Sequence, residues 1–235
     1  MAFRPFRIIV DLRKSALRPL SKAEYGNDFF QDNERAKAAF EKAWETRNFE
    51  IEMYWKRATY FWTFIASTFV GYFALTASNN YRRVDQFHHA EVYFVICVGF
   101  ILSFAWLLTN IGSKTWQRHW EVHVDLLEDR FTGPLYKTVY QKKTFSVSKI
   151  NEIVSAVISG IWLMLGTKFL FDQRLVHFSN AKPNWFIIVS TAVTVLAISA
   201  MIFGHGRGRF SKRVVLMHRR STPYEGETEH ATHGR

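Results

Sequence analysis

TNIGSKTWQRHWEVHVDLLEDRFTGPLYKTVYQKKTFSVSKIN, residues 109–151, is the one polar block that separates two pairs of hydrophobic spans. Within it Trp116, Trp120, Val124 and Leu127 recur three or four residues apart, so the helix of the preceding span is expected to continue into the block. Thr132-Gly133-Pro134 then ends it, because Gly adopts the left-handed conformation after a helix and Pro cannot continue one. Ser146 and Ser148 stand where a hydroxyl can accept from the open N–H groups of a helix starting near Lys149. The block reads helix, turn, variable segment, cap, helix.

On either side of it lie runs free of charge: 58–77, 92–113, 183–204 and the shorter 153–167. Crossing ~30 Å of hydrocarbon takes roughly 20 apolar residues at ~1.5 Å each. Three runs qualify directly. The third in chain order qualifies once 149–152 and 168–171 are added, whose charged ends reach the headgroups. The expected fold is an all-α membrane protein with four transmembrane helices per subunit and helical extensions on the cytoplasmic side, assembled as a homo-oligomer.

The net charge of +11 is informative through its placement. Of the 31 Lys and Arg, twelve precede residue 58, seven lie between the second and third spans and seven follow the fourth, against two and three in the remaining loops. By the positive-inside rule the first, central and last polar segments are expected in the cytoplasm, and the loops 77–91 and 168–182 outside. The expectation is a multi-pass membrane chain with both termini in the cytoplasm. Nucleic acid is not needed to explain the charge. Cys97 is the only cysteine and sits within the second span, so no intramolecular disulfide forms. The N-terminal stretch has basic residues but an apolar run too short for a cleavable signal.

The order of segments is an N-terminal cytoplasmic arm (1–31), a cytoplasmic amphipathic helix (32–57), a first transmembrane pair (58–110), a helical linker block (111–148), a second pair (149–204) and a basic, partly disordered tail (205–235). Asp32 or Asn33 caps the amphipathic helix and Glu34 suits its positive end. Phe40, Trp44, Ile51 and Trp55 give it an apolar stripe, and it is expected to run directly into the first span. At the boundary Tyr54 and Trp55 are rings of the kind found at headgroup level, while Lys56, Arg57, Arg207 and Arg209 can reach anionic lipid. Glu152 lies at the depth of Lys56 and Arg57, and a carboxylate there is costly alone, so an ion pair between them is expected, with a structural role. Trp44, Trp116 and Trp120 are expected to be buried within or between subunits. Small residues four apart, Ser67/Gly71, Gly99/Ser103, Ser155/Ser159 and Ala156/Gly160, let helices approach.

No chemistry is apparent. His119 and His123 have the spacing to share a metal and Asp125 and Glu128 are near, but there is no HExxH, and solvated or subunit-contacting histidines are the preferred reading. No nucleophile elbow, phosphate loop or dinucleotide fingerprint occurs, and the glycine-rich 204–208 follows a membrane helix where a strand would be required. Neither enzymatic activity nor a cofactor is expected. The spans lack mid-membrane ionisable groups, which argues against a proton-coupled carrier but leaves open a pore between subunits lined by Ser, Thr or apolar side chains.

FEIEMYWKRATYFWTFIA at 49–66, WQRHWEVHVDLLEDRFTGPLYKTV at 116–139 and SVSKINEIVS at 146–155 together resemble the RipA family of octameric bacterial inner-membrane proteins, over about 33–171. The resemblance implies an octamer, and the family is associated with survival of intracellular bacteria; similar proteins look like membrane effectors of phage defence. It brings no catalytic residue, and the basic tail is not part of its pattern. Two functions follow as expectations: a structural or regulatory membrane scaffold, or a pore-forming or membrane-perturbing effector. The partners expected are membrane lipids, anionic on the cytoplasmic side, further copies of the chain, and a cytoplasmic protein.

Overall fold

The computed structural model describes residues 20–78, 86–140, 144–172, 184–204 and 206. Residues 1–19, 79–85, 141–143, 173–183 and 205, and those from 207 on, among them Arg207 and Arg209, lie outside the described residues. The described elements are helical. Helix α1 spans Lys22–Phe29, α2 Asn33–Ala77, α3 Gln86–Leu127, α4 Val147–Asp172 and α5 Trp185–Phe203, with a 3-10 turn at Glu128–Arg130 between α3 and α4.

Local chemistry sets these boundaries. The Ser21 hydroxyl accepts from the Glu24 N–H at 3.2 Å while the Glu24 carboxylate accepts from the Ser21 N–H at 2.9 Å, a reciprocal cap that starts α1. Asp32 accepts from the Glu34 N–H at 3.0 Å and starts α2. Gly133 takes the expected left-handed conformation, φ 66°. The Ser146 hydroxyl faces the Lys149 N–H at 3.5 Å where α4 begins, and Asn184 caps α5 by accepting from the Phe186 N–H at 3.1 Å.

Length is the decisive feature. α2 has 45 residues and α3 has 42, so at ~1.5 Å per residue they measure about 67 and 63 Å, roughly twice the hydrocarbon thickness. Each crosses its expected segment boundary, at 57–58 and at 110–111, without a break. Four helices, α2 to α5, are long and apolar enough to span a membrane. Their outward faces carry exposed Phe64, Val70, Phe73, Val157, Met164 and Leu196, as a lipid-facing surface does.

Helix α3 is the hub: α2, α4 and α5 all pack against it. Inside the bundle Val92, Tyr93, Ile96, Cys97, Trp162, Phe169 and Ile187 form one buried cluster. Trp162 of α4 lies so close over Gly99 of α3 that a Cβ there would stand 2.4 Å from the indole. Phe69 of α2 stacks on the same indole, ring centroids 4.4 Å apart. Of the small-residue pairs, Gly99/Ser103 and Ser155/Ser159 are buried between α3 and α4. A methyl added at Gly71 or Gly160 would meet nothing within 4 Å, so Ser67/Gly71 and Ala156/Gly160 face outward from the subunit.

Candidate functional site: the head formed by the helix extensions

Beyond the bundle, α1, the first half of α2, the end of α3 and the turn after it build a second core around Tyr25, Ala43, Val124 and Leu127, walled by Phe29, Phe30, Phe40, Trp120 and Tyr136. Its organising residue is Glu128. Lying one turn after Val124, it is buried on the same face of the chain, 1% exposed. Its carboxylate accepts from the backbone N–H of Tyr136 at 2.6 Å and of Lys137 at 3.1 Å, so the reversal after Gly133 is tied back to the helix it leaves. The Lys137 ammonium lies 3.9 Å from Glu128 and 2.6 Å from Asp129, and donates to the Asp125 carbonyl at 2.9 Å.

On the neighbouring face Tyr25 anchors α1. Its phenol oxygen is 2.8 Å from His123 Nδ1, and Phe29 meets the same imidazole edge-on. Burial pushes the Tyr25 phenol up to about 12. It also lowers the His123 pKa, with help from His119, so His123 is neutral, its Nε2 carrying the proton when the phenol donates to Nδ1. His119 and His123 do share a face, ring centroids 4.8 Å apart, but His123 Nδ1 is taken by the phenol. Among the described residues no group of three His, Cys, Asp or Glu is placed to hold a metal. Arg130 donates to the Phe30 carbonyl at 2.8 Å and covers its ring, closing α1 from the other end.

Between α2 and the turn lies a cleft of about 350 Å³, lined by Phe40, Trp44, Val124, Glu128, Thr132, Leu135 and Tyr136. Arg47 braces its rim: its guanidinium donates to the Tyr136 hydroxyl at 2.9 Å and lies 4.9 Å from that ring and 5.4 Å from the Trp44 ring. Near the cleft, on α3, the Asp125 pKa is raised by burial first and by Glu128 second, with Lys137 pulling the other way. The walls are mostly apolar, which suits binding apolar side chains better than chemistry.

At the membrane boundary the structure revises two expectations. Tyr54 is not at the lipid surface: it is 3% exposed, and its hydroxyl accepts from the Asn151 amide of α4 at 2.9 Å. Asn110 of α3 donates to the Ser155 hydroxyl at 3.3 Å, so a buried polar seam ties α2, α3 and α4 together where the bundle meets the head. Within the subunit the ion pair expected for Glu152 is not formed. Lys56 pairs with Glu52 at 2.7 Å and Arg57 with Glu50 at 3.4 Å, because partners on the same helix are reached without crossing the bundle. Of the three tryptophans expected within or between subunits, Trp120 is partly buried against the head core, while Trp44 and Trp116 are 41% and 42% exposed on the single subunit, which leaves contact between subunits as the alternative for them. Trp55 is exposed at the boundary. Residues that sequence reasoning passed over, Tyr25, Arg47, Asn110 and Tyr136, act through tertiary contacts. Glu128 alone had a visible signal, a carboxylate at the end of an apolar stripe just before a helix stop.

The family model described as the octameric membrane protein family (8xMP) matches residues 37–171, which is α2 from Lys37, all of α3, the clasped turn and α4 up to Phe171. No curated protein and no solved structure matches the chain. With more than half of the chain covered and four helices able to cross a membrane, this is a multi-pass membrane protein that belongs to the octameric membrane protein family.

Proposed function

We propose that the protein is a non-catalytic scaffold of the bacterial inner membrane, a RipA-like octamer whose heads lie on the cytoplasmic side with both termini, where anionic lipid and a cytoplasmic protein partner meet it. The observation that carries this reading is the continuity of α2 and α3 from the bundle into the head. A rigid aromatic head fixed to the membrane by two uninterrupted helices suits holding and positioning. The interior of each subunit is filled, Trp162 over Gly99 and Asn110 against Ser155, which favours a sealed bundle over a conduit within the subunit. Ion flux through proteoliposomes of the full chain, with and without any co-purified partner, tests the proposal. A scaffold leaves the vesicles sealed in both conditions. Sustained flux would replace it with the pore-forming or membrane-perturbing effector, whose conduction path would then run between subunits and gate by wetting and drying.

A further inference from the structure

A ring of identical subunits needs two different patches on each, because a head-to-tail contact joins unlike surfaces. In the membrane, exposed apolar side chains are covered by lipid; in the head they are not, so apolar patches there call for protein. Among the exposed apolar surfaces of the head, two adjoin the end of α3. One is the 350 Å³ cleft, whose rim holds the exposed Trp44 and Leu135, the latter 73% exposed. The other is the face of α3 formed by Val122, 55% exposed, and Leu126. At ~100° per residue Val122 and Leu126 point within about 40° of each other, and Val124, which lines the cleft, points about 160° from both. The two patches therefore lie on opposite sides of one helix.

We infer that the octamer closes by seating the Val122–Leu126 face of one subunit's α3 in the Phe40–Trp44–Leu135–Tyr136 cleft of the next. This rests on the octameric reading above and names its contact surface. Both patches fall inside residues 37–171, the part of the chain that the family named for its octamer shares. The cleft is half-open and small, which admits branched aliphatic side chains and excludes a whole helix. Contact would also cover Trp44, whose exposed indole is otherwise an apolar surface in water.

The test is cysteine cross-linking of the purified full chain, with the oligomer measured beside it by mass photometry. Cys97 is buried, and Val122 and Leu135 are exposed, so Val122→Cys and Leu135→Cys do not disturb the subunit's core. Under mild oxidant the double variant is expected to give a ladder of linked subunits up to eight, and each single variant none. A wild-type octamer whose double variant also stays octameric without cross-linking overturns the inference while leaving the octamer standing. So do dimers from Val122→Cys alone, which would mean a face-to-face contact. Full labelling of the Val122→Cys thiol by a bulky maleimide in the intact octamer overturns it too, since that face would then be left to lipid or to another protein. A wild-type chain that is never octameric overturns both. Independently, Leu126→Glu is expected to raise the concentration at which the octamer dissociates by about tenfold or more, since it would bury an unpaired charge, with Leu126→Met close to wild type. An unchanged octamer in Leu126→Glu also overturns the contact.

Discussion

Glu128 holds the head's turn through two charge-assisted hydrogen bonds to the backbone N–H groups of Tyr136 and Lys137. Glu128→Gln keeps the volume but leaves one carbonyl oxygen and an N–H₂ where two acceptors are required. The expected loss is about 1–3 kcal/mol of stability, read from thermal unfolding in detergent, with the 131–140 turn becoming more open to protease. A variant as stable as wild type would remove Glu128 from its organising place. The Tyr25–His123 contact gives a pH dependence with a definite sign. His123 has a lowered pKa in the fold, so the unfolded chain, titrating near 6.5, binds more protons below that pH. Stability contributed by this contact is thus complete above about 6.5 and falls as pH drops through the folded value. At the alkaline end Tyr25 stays protonated to about 12 while an unfolded tyrosine ionises near 10, so stability is lost as pH rises from about 10 to 12. Hydrogen exchange in α1, corrected for its intrinsic pH dependence, should lose protection between about pH 7.5 and 5.5, with the rest of the head less affected. Equal protection at both values contradicts the assignment.

Helix α3 depends on close approach at one point. Gly99→Ala places a methyl 2.4 Å from the Trp162 ring, and the ring is pinned by Phe69 behind it. The expected cost is about 1–3 kcal/mol, and Gly99→Ala combined with Trp162→Leu should recover part of it, a non-additivity visible in melting temperature. Additive losses would mean that the two residues do not touch. The same helix explains what could be read in advance. The spans, the continuation of α3 past Trp116, the stop at Gly133 and the caps at Asp32 and Ser146 follow from charge-free length, 3.6-residue period and local turn chemistry, all of them short-range. The Glu152 pair and the lipid-facing Tyr54 were expected from depth in the membrane alone. Depth says how high a side chain sits but not which way it points. Tyr54 points inward at Asn151, and Lys56 finds Glu52 four residues back.

For the assembled protein, the distribution of basic residues is the ground for placing the heads on the cytoplasmic side of the bilayer. Reporter fusions after Ser78 and after Asn180 are expected to report the periplasm; a cytoplasmic signal at either would invert the proposed topology. Mass photometry in mild detergent is expected to find eight subunits, and monomers alone would contradict the proposal. The unbroken run of α3 then acquires a mechanical meaning. A rod of about 63 Å that turns about its middle by about 10° moves each end by about 5 Å in opposite directions. Because α3 runs unbroken past the polar seam at Asn110, a sideways push on a head would reach the membrane as a torque, as a load on one arm of a lever reaches the other.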